Sequence, residues 1–141
     1  MKNLEPYLIF NGECAEAFSF YASVFNAEPA RIMKYKELPE GKENIAPEDM
    51  EKVVHALLHI GNNIRIMGAD MPSNMKSTGG ENIYLTMNVE SEAEAKHLYE
   101  SLSKGGNVEM PLQKTFWADL YASFTDRFGI GWMVNYYNEQ K

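Results

Sequence analysis

Asn82-Ile-Tyr-Leu-Thr-Met-Asn-Val89, with Ser91-Glu-Ala-Glu94 close behind it, decides the fold. Ile83, Leu85, Met87 and Val89 alternate with Asn82, Tyr84, Thr86 and Asn88, the period of a strand with one buried face. Ser91 and Glu94 have the spacing of a capping box, so a helix opens there. It runs to about Lys104, where Gly105-Gly106 stops it. Three further strand-like runs follow at about 108–114, 120–125 and 132–136, with Asp126-Arg-Phe-Gly129 as the turn before the last.

Upstream, the same order recurs. Tyr7-Leu-Ile-Phe10 reads as a short buried strand, and residues 13–25 as a helix that buries Ala17, Tyr21, Val24 and Phe25. Asn11 or Gly12 is placed to cap that helix, and Asn26 to end it in the left-handed region. A second strand is expected over 30–38, then a polar loop over 39–49. Val53-Val-His-Ala-Leu-Leu-His-Ile60, Gly61-Asn-Asn63 and Ile64-Arg-Ile-Met67 read as a β-hairpin. Residues 70–80 form another loop. Leu8, Phe10, Asn11 and Glu13 match Leu85, Met87, Asn88 and Glu90 at one spacing. After a shift of one, Glu16, Ala17 and Tyr21 match Glu94, Ala95 and Tyr99, which supports an internal repeat.

The 141 residues are enough for a domain that folds without metal or disulfide support. Thirteen basic against twenty acidic side chains leave a formal charge of −7, which disfavours a nucleic-acid binder. Cys14, the single cysteine, rules out an intrachain disulfide and fits a reducing compartment. The apolar run 7–10 is too short for a signal-peptide core or a membrane span. A cytoplasmic location is the expectation.

These residues resemble the vicinal oxygen chelate superfamily of glyoxalase I, extradiol dioxygenases and bleomycin-resistance proteins, and within it the PhnB-like group. The resemblance rests on Tyr7-Leu-Ile-Phe-Asn-Gly12 with residues 17–25, on Val54-His55-Ala56, and above all on Thr115-Phe-Trp-Ala-Asp-Leu-Tyr121 with Asp126-Arg-Phe-Gly-Ile-Gly-Trp-Met-Val-Asn135. Ala118 departs from it, since the group usually has Gly there. The resemblance implies an α+β fold: paired βαβββ modules, residues 5–69 and 81–138 of a single domain, forming a curved mixed sheet around a cavity. It also implies a homodimer. Metal enzymes of the superfamily carry one ligand on each of four strands, positions that fall here at Pro6, His55, Asn82 and Met133. Pro lacks a donor, Asn is a weak neutral ligand and Met a soft one, so only His55 suits a divalent ion. No metal or other cofactor is therefore expected.

His55 and His59 stand four residues apart, which would share a zinc ion on a helix but spans roughly 13 Å on a strand. Three readings of His55 stay open: a shared metal ligand, a cavity-facing acid/base or hydrogen-bonding group, and a histidine satisfied by its neighbours. His97 belongs to a helix among polar residues. By alternation Val53, His55 and Leu57 share a side, as do Asn82, Tyr84 and Thr86, and Gly131, Met133 and Asn135. With Phe116 and Trp117 they describe either an apolar pocket with a few polar handles or plain core. The candidate ligand-binding residues are Leu57, Asn82, Tyr84, Thr86, Phe116, Trp117, Met133 and Asn135, with His55 as the candidate catalytic group. Cys14 sits near a helix N-terminus, where a thiolate is favoured, but has no paired His in sequence. Glu109 has no nameable partner. No dinucleotide, Walker, nucleophile-elbow or paired-cysteine zinc motif occurs.

The leading expectation is a metal-free binder of a small, partly apolar molecule, with neither nucleic acid nor membrane as partner. The alternative is a metal-dependent lyase or dioxygenase using His55. A third reading is a structural or partner-binding protein with a filled core. Methyl transfer is not expected, because two βαβββ halves leave no room for a doubly wound cofactor-binding sheet.

Overall fold

The structure, a computed structural model, describes residues 1–80 and 82–138. The expected start of the second module, residue 81, lies outside the described residues. The chain divides into two compact units, Met1–Thr78 and Gly79–Lys141. Each is a four-stranded mixed sheet with one helix, in the order strand, helix, three strands.

In the first unit, β1 (Tyr7–Phe10) leads into α1 (Cys14–Val24), followed by β2 (Arg31–Lys34), β3 (Val53–Gly61) and β4 (Ile64–Asp70). The sheet order is β1-β4-β3-β2, with β1 parallel to β4 and the other pairs antiparallel. The helix covers one face. Phe10, Phe18 and Tyr21 meet edge to face there, with ring centres 6.2 and 6.0 Å apart. Leu8, Ala56, Leu58 and Ile66 complete this core. Gly68 is required: a Cβ there would lie 2.7 Å from the Leu8 carbonyl oxygen and 2.8 Å from the Phe18 ring.

In the second unit, β5 (Leu85–Val89), α2 (Glu92–Ser103), β6 (Asn107–Gln113), β7 (Leu120–Thr125) and β8 (Gly131–Tyr136) give the order β5-β8-β7-β6. Ala95, Leu98 and Leu102 of α2 are buried, as are Phe124, Trp132 and Val134 of the sheet. The Asp126 carboxylate organises the turn before β8. One oxygen accepts from the Phe128 and Ile130 amides at 2.9 and 3.0 Å, the other from the Trp132 indole at 2.8 Å. That explains the run Asp126-Arg-Phe-Gly-Ile-Gly-Trp132 in physical terms.

Four local expectations need correction. The strand expected over 30–38 ends at Lys34. Tyr35 turns inward to donate to the Asp70 carbonyl at 2.8 Å, and a 3-10 turn, Tyr35–Glu37, begins. The strand expected from Asn82 begins at Leu85, because its partner β8 starts at Gly131 and its pairing begins at Leu85 with Trp132. Neither Asn11 nor Gly12 caps α1. Asp70, from the far end of β4, accepts from the Gly12 and Cys14 amides, both at 2.9 Å, while Asn11 exchanges two hydrogen bonds with the Ser77 backbone. Val53 leaves the row it was expected to share with His55. A register shift between Met33 and Lys34 breaks the alternation, and Val53 is buried, its amide on Asp70.

The remaining boundary signals behave as their chemistry requires. Asn26 is left-handed, with φ 53°. Ser91 caps α2 by accepting from the Glu94 amide, and the Glu94 carboxylate reaches back to the Glu90 amide, both at 3.0 Å. No described helix is long and apolar enough to cross a membrane.

Candidate functional site

The sheet of the first unit has a second face, turned away from α1. Pairing sets its rows. Tyr7 stands beside Met67, Met67 beside Leu57, and Leu57 beside Arg31. In the next row Ile9 stands beside Ala69, and His55 beside Met33. The Tyr7 phenol oxygen lies 3.0 Å from His55 Nδ1, and the rings tilt together at 5.8 Å. Small, buried Ala69 leaves room for that contact. Burial raises the Tyr7 pKa above its usual 10, so the phenol stays protonated at neutral pH. The contact takes up Nδ1 and leaves Nε2 unbonded to Tyr7; a phenol that donates to Nδ1 sets the ring proton on Nε2, where a ligand can accept it. Tyr7 was missed in the sequence because its neighbour Pro6 was assigned the functional position. In the structure Tyr7 and Ile9 alternate with buried Leu8 and Phe10, and β4 lies between the strands of Tyr7 and His55.

His55 and His59 lie on this same face of β3, and both are exposed. His59 pairs with Arg65, whose guanidinium is engaged by Glu5.

The second unit has a matching face. Thr86 pairs with Met133 and Met133 with Ser123; Asn88 pairs with Asn135 and Asn135 with Tyr121. Asn135 donates to Asn88 at 3.1 Å, and the Thr86 hydroxyl lies 3.8 Å from the Met133 sulfur. The Tyr84 phenol is bonded to Glu109, which supplies the partner that the sequence withheld. Its ring fills the place of a Cβ at Gly131, which would come within 2.9 Å. Phe116, Trp117 and Tyr121 form a chain of edge-to-face contacts, 4.8 and 5.2 Å between centres, with Phe116 97% exposed. Asn82 is exposed and lies before β5. Thr86, Met133 and Asn135 thus share one sheet face, Tyr84 stands against Gly131 at the start of β8, Phe116 and Trp117 belong to the 114–119 loop, and Leu57 belongs to the first unit.

Two further features lie elsewhere. A groove of about 330 Å³ runs between α1 and β2, lined by Ala15, Ser19, Ala22, Ala27, Pro29 and Ile32 among others, with no ionisable side chain. Cys14 is wholly buried, and burial together with the Asp70 charge pushes its thiol up to about 12. These effects outweigh the helix N-terminus, so Cys14 is no nucleophile at neutral pH.

Comparison with known proteins matches residues 2–135 to the family model described as 3-demethylubiquinone-9 3-methyltransferase. The chain belongs to this PhnB-like family. It is 33% identical to protein YjdN of Escherichia coli strain K12, over 97% of each chain. It is 38% identical to protein PA1353 of Pseudomonas aeruginosa, whose crystal structure superposes with a TM-score of 0.87 over 97% of this chain and 98% of that one. A glyoxylase/bleomycin resistance protein/dioxygenase domain from Frankia shares the fold, with a TM-score of 0.65, 13% identity and coverage of 100% and 96%. The PhnB-like chain thus has the glyoxalase-superfamily fold expected from the sequence.

Within each unit of this family member, among the described residues, no three His, Cys, Asp or Glu side chains are grouped so as to hold an ion. Of the four residues that the resemblance sets at metal positions, Pro6 offers no donor, His55 is bonded through Nδ1 to Tyr7, Asn82 is neutral, and Met133 presents a soft sulfur beside Thr86. Taken residue by residue, only His55 among them is a good donor for a divalent ion.

Proposed function

We propose that this PhnB-like protein binds a small, partly apolar molecule on its open sheet faces without a resident metal. The observation that carries the reading is the Tyr7–His55 contact. It sets a polar handle on a face that Ile9, Met33, Leu57 and Met67 share with Arg31, His59 and Arg65, apolar surface with a few polar groups, which is the make-up of a small-molecule site. The residues proposed to touch ligand are Leu57 with Tyr7 and His55 in the first unit, and Tyr84, Thr86, Met133, Asn135, Phe116, Trp117 and Asn82 in the second. The flexible Met side chains suit such a surface to ligands of varied shape. We propose also that the protein is a homodimer, as its superfamily resemblance implies, and cytoplasmic, which its single cysteine fits.

The family's description implies a methyl donor. The described sheets are mixed and four-stranded, and the chain has no glycine-rich turn leading from a strand into a helix, so these residues do not fit that cofactor. The Tyr7–His55 pair supports a second reading, an enzyme in which His55 moves a proton.

Elemental analysis of the purified, dialysed protein tests the first reading. Substoichiometric Ni, Zn and Mn is expected, and one bound ion per chain overturns metal independence. Replacing His55 with Ala separates the two readings. Retained ligand binding with no turnover to lose supports the binder, whereas loss of a measurable turnover supports the enzyme.

A further inference from the structure

The open face of the first unit carries a charge pattern unlike the rest of the chain. The protein has three Arg and three His within a formal charge of −7. Two of those Arg, Arg31 and Arg65, and two of those His, His55 and His59, lie on this one face. Its strands place no carboxylate there. Asp70, the only acidic residue in β1 to β4, turns toward the Gly12, Cys14 and Val53 amides. Glu5, just before β1, is held by Arg65. Arg31 has no ion-pair partner among the described residues. It is exposed on the edge strand, directly beside Leu57 and one row from the Met33–His55 pair. Diagonal neighbours on a sheet stand about 7–8 Å apart, within reach of an arginine side chain.

We infer that the first unit's open face binds a small organic carboxylate, its anion held by the Arg31 guanidinium and His55 Nε2–H and its apolar part lying on Leu57, Met33 and Met67. This rests on the small-molecule reading above and names the ligand's chemistry. Arg31 supplies a planar fork of donors that matches a carboxylate in bidentate fashion. With Arg65 engaged, the face offers one uncompensated full positive charge, which fits a monoanion better than a dianionic phosphate. The Tyr7 phenol fixes the His55 tautomer and acts as a positioning residue.

The test is a titration of the isotope-labelled full chain with benzoate, phenylacetate, hexanoate, inorganic phosphate and the uncharged analogue benzamide, followed by NMR. The carboxylates are expected to cause saturable shifts at residues 31, 33, 55 and 57, with affinity near the millimolar range of fragments. Benzamide and phosphate should bind at least about tenfold more weakly than benzoate, which corresponds to about 1.4 kcal/mol. Arg31→Gln, an exposed change, should weaken benzoate by a similar factor and leave benzamide unchanged. Arg127→Gln, in the other unit, should alter neither. Equal binding of benzoate and benzamide, phosphate binding as tight as benzoate, or indifference to Arg31→Gln would overturn the carboxylate site while leaving the small-molecule reading intact. No saturable shift from any probe would overturn both.

Discussion

Buried Asp70 and buried Asp126 each gather backbone amides within their own unit. Asp126 gathers the amides of its own turn and the Trp132 indole, so its role was legible in the local sequence. Asp70 gathers the amides of Gly12, Cys14 and Val53, which lie 58, 56 and 17 residues away in sequence. No local pattern announces such a partner, and for that reason the cap of α1 fell to Asn11 and Gly12 in the sequence reading. Asp70→Ala would leave three inward-facing amides unpaired. A loss of about 3 kcal/mol is expected, and roughly half that for Asp70→Asn, which keeps one acceptor. Urea midpoints at unchanged slope would measure both. Cys14 gives a pH prediction. Its folded pKa lies above the unfolded value, so the neutral thiol is the form that folding favours. The stabilisation is complete below about pH 9 and fades as pH rises toward about 12. Between pH 8 and 10 the wild type should therefore lose more of its urea resistance than Cys14→Ala does. Equal losses would show that the thiol ionises alike in the folded and unfolded states.

At the scale of elements, period and punctuation carried most of the reading. The 7–10 strand, both helices and the 120–125 strand lie close to where the apolar pattern puts them, and α2 also where its Ser91 cap does. Failures cluster where a long-range partner decides. Tyr35 leaves β2 for the Asp70 carbonyl, and residues 82–84 precede the first pair of β5 with β8. Close approach is likewise invisible in one dimension. Gly61 and Gly68 look alike in sequence, yet a Cβ at Gly61 would touch nothing nearer than 4.0 Å, whereas one at Gly68 would strike the Leu8 carbonyl and the Phe18 ring. The Leu8 carbonyl is backbone and cannot swing aside. Gly68→Ala should cost about 1–3 kcal/mol, by the logic of overpacking, and Gly61→Ala less than about 0.5 kcal/mol. Thermal melts of the two variants beside wild type would check this. The site was half legible for the same reason. His55 stood out by type, but Tyr7, its partner from a strand 48 residues away, becomes visible only once β4 is seen to lie between them.

Over the whole molecule, the repeat is deeper than its faint sequence echo. The spacing that aligns Leu8 with Leu85 also aligns Tyr7 with Tyr84, and each unit sets a tyrosine before that leucine with its phenol on a titratable group of another strand, His55 in one and Glu109 in the other. The architecture is kept twice over, and of the residues that the resemblance sets at metal positions only His55 is a strong donor. The first unit has eight basic against eleven acidic residues and the second five against nine, but among the described residues no three of these carboxylates converge. Dispersed charge attracts cations weakly and without selection, and salt screens it within about 8–10 Å. A specific site behaves differently: an ion at 100 times its Kd raises folding stability by about 2.7 kcal/mol. For a chain of this size that is a rise in melting temperature of several degrees. Ni, Zn, Mn and Mg at equal ionic strength are therefore expected to leave the melting temperature within about a degree of one another, with EDTA making no difference, a spread far below that of a bound ion. A selective rise with Ni, Zn or Mn, absent with Mg and abolished by His55→Ala, would mean that the chain assembles a metal centre around the one strong donor it retains.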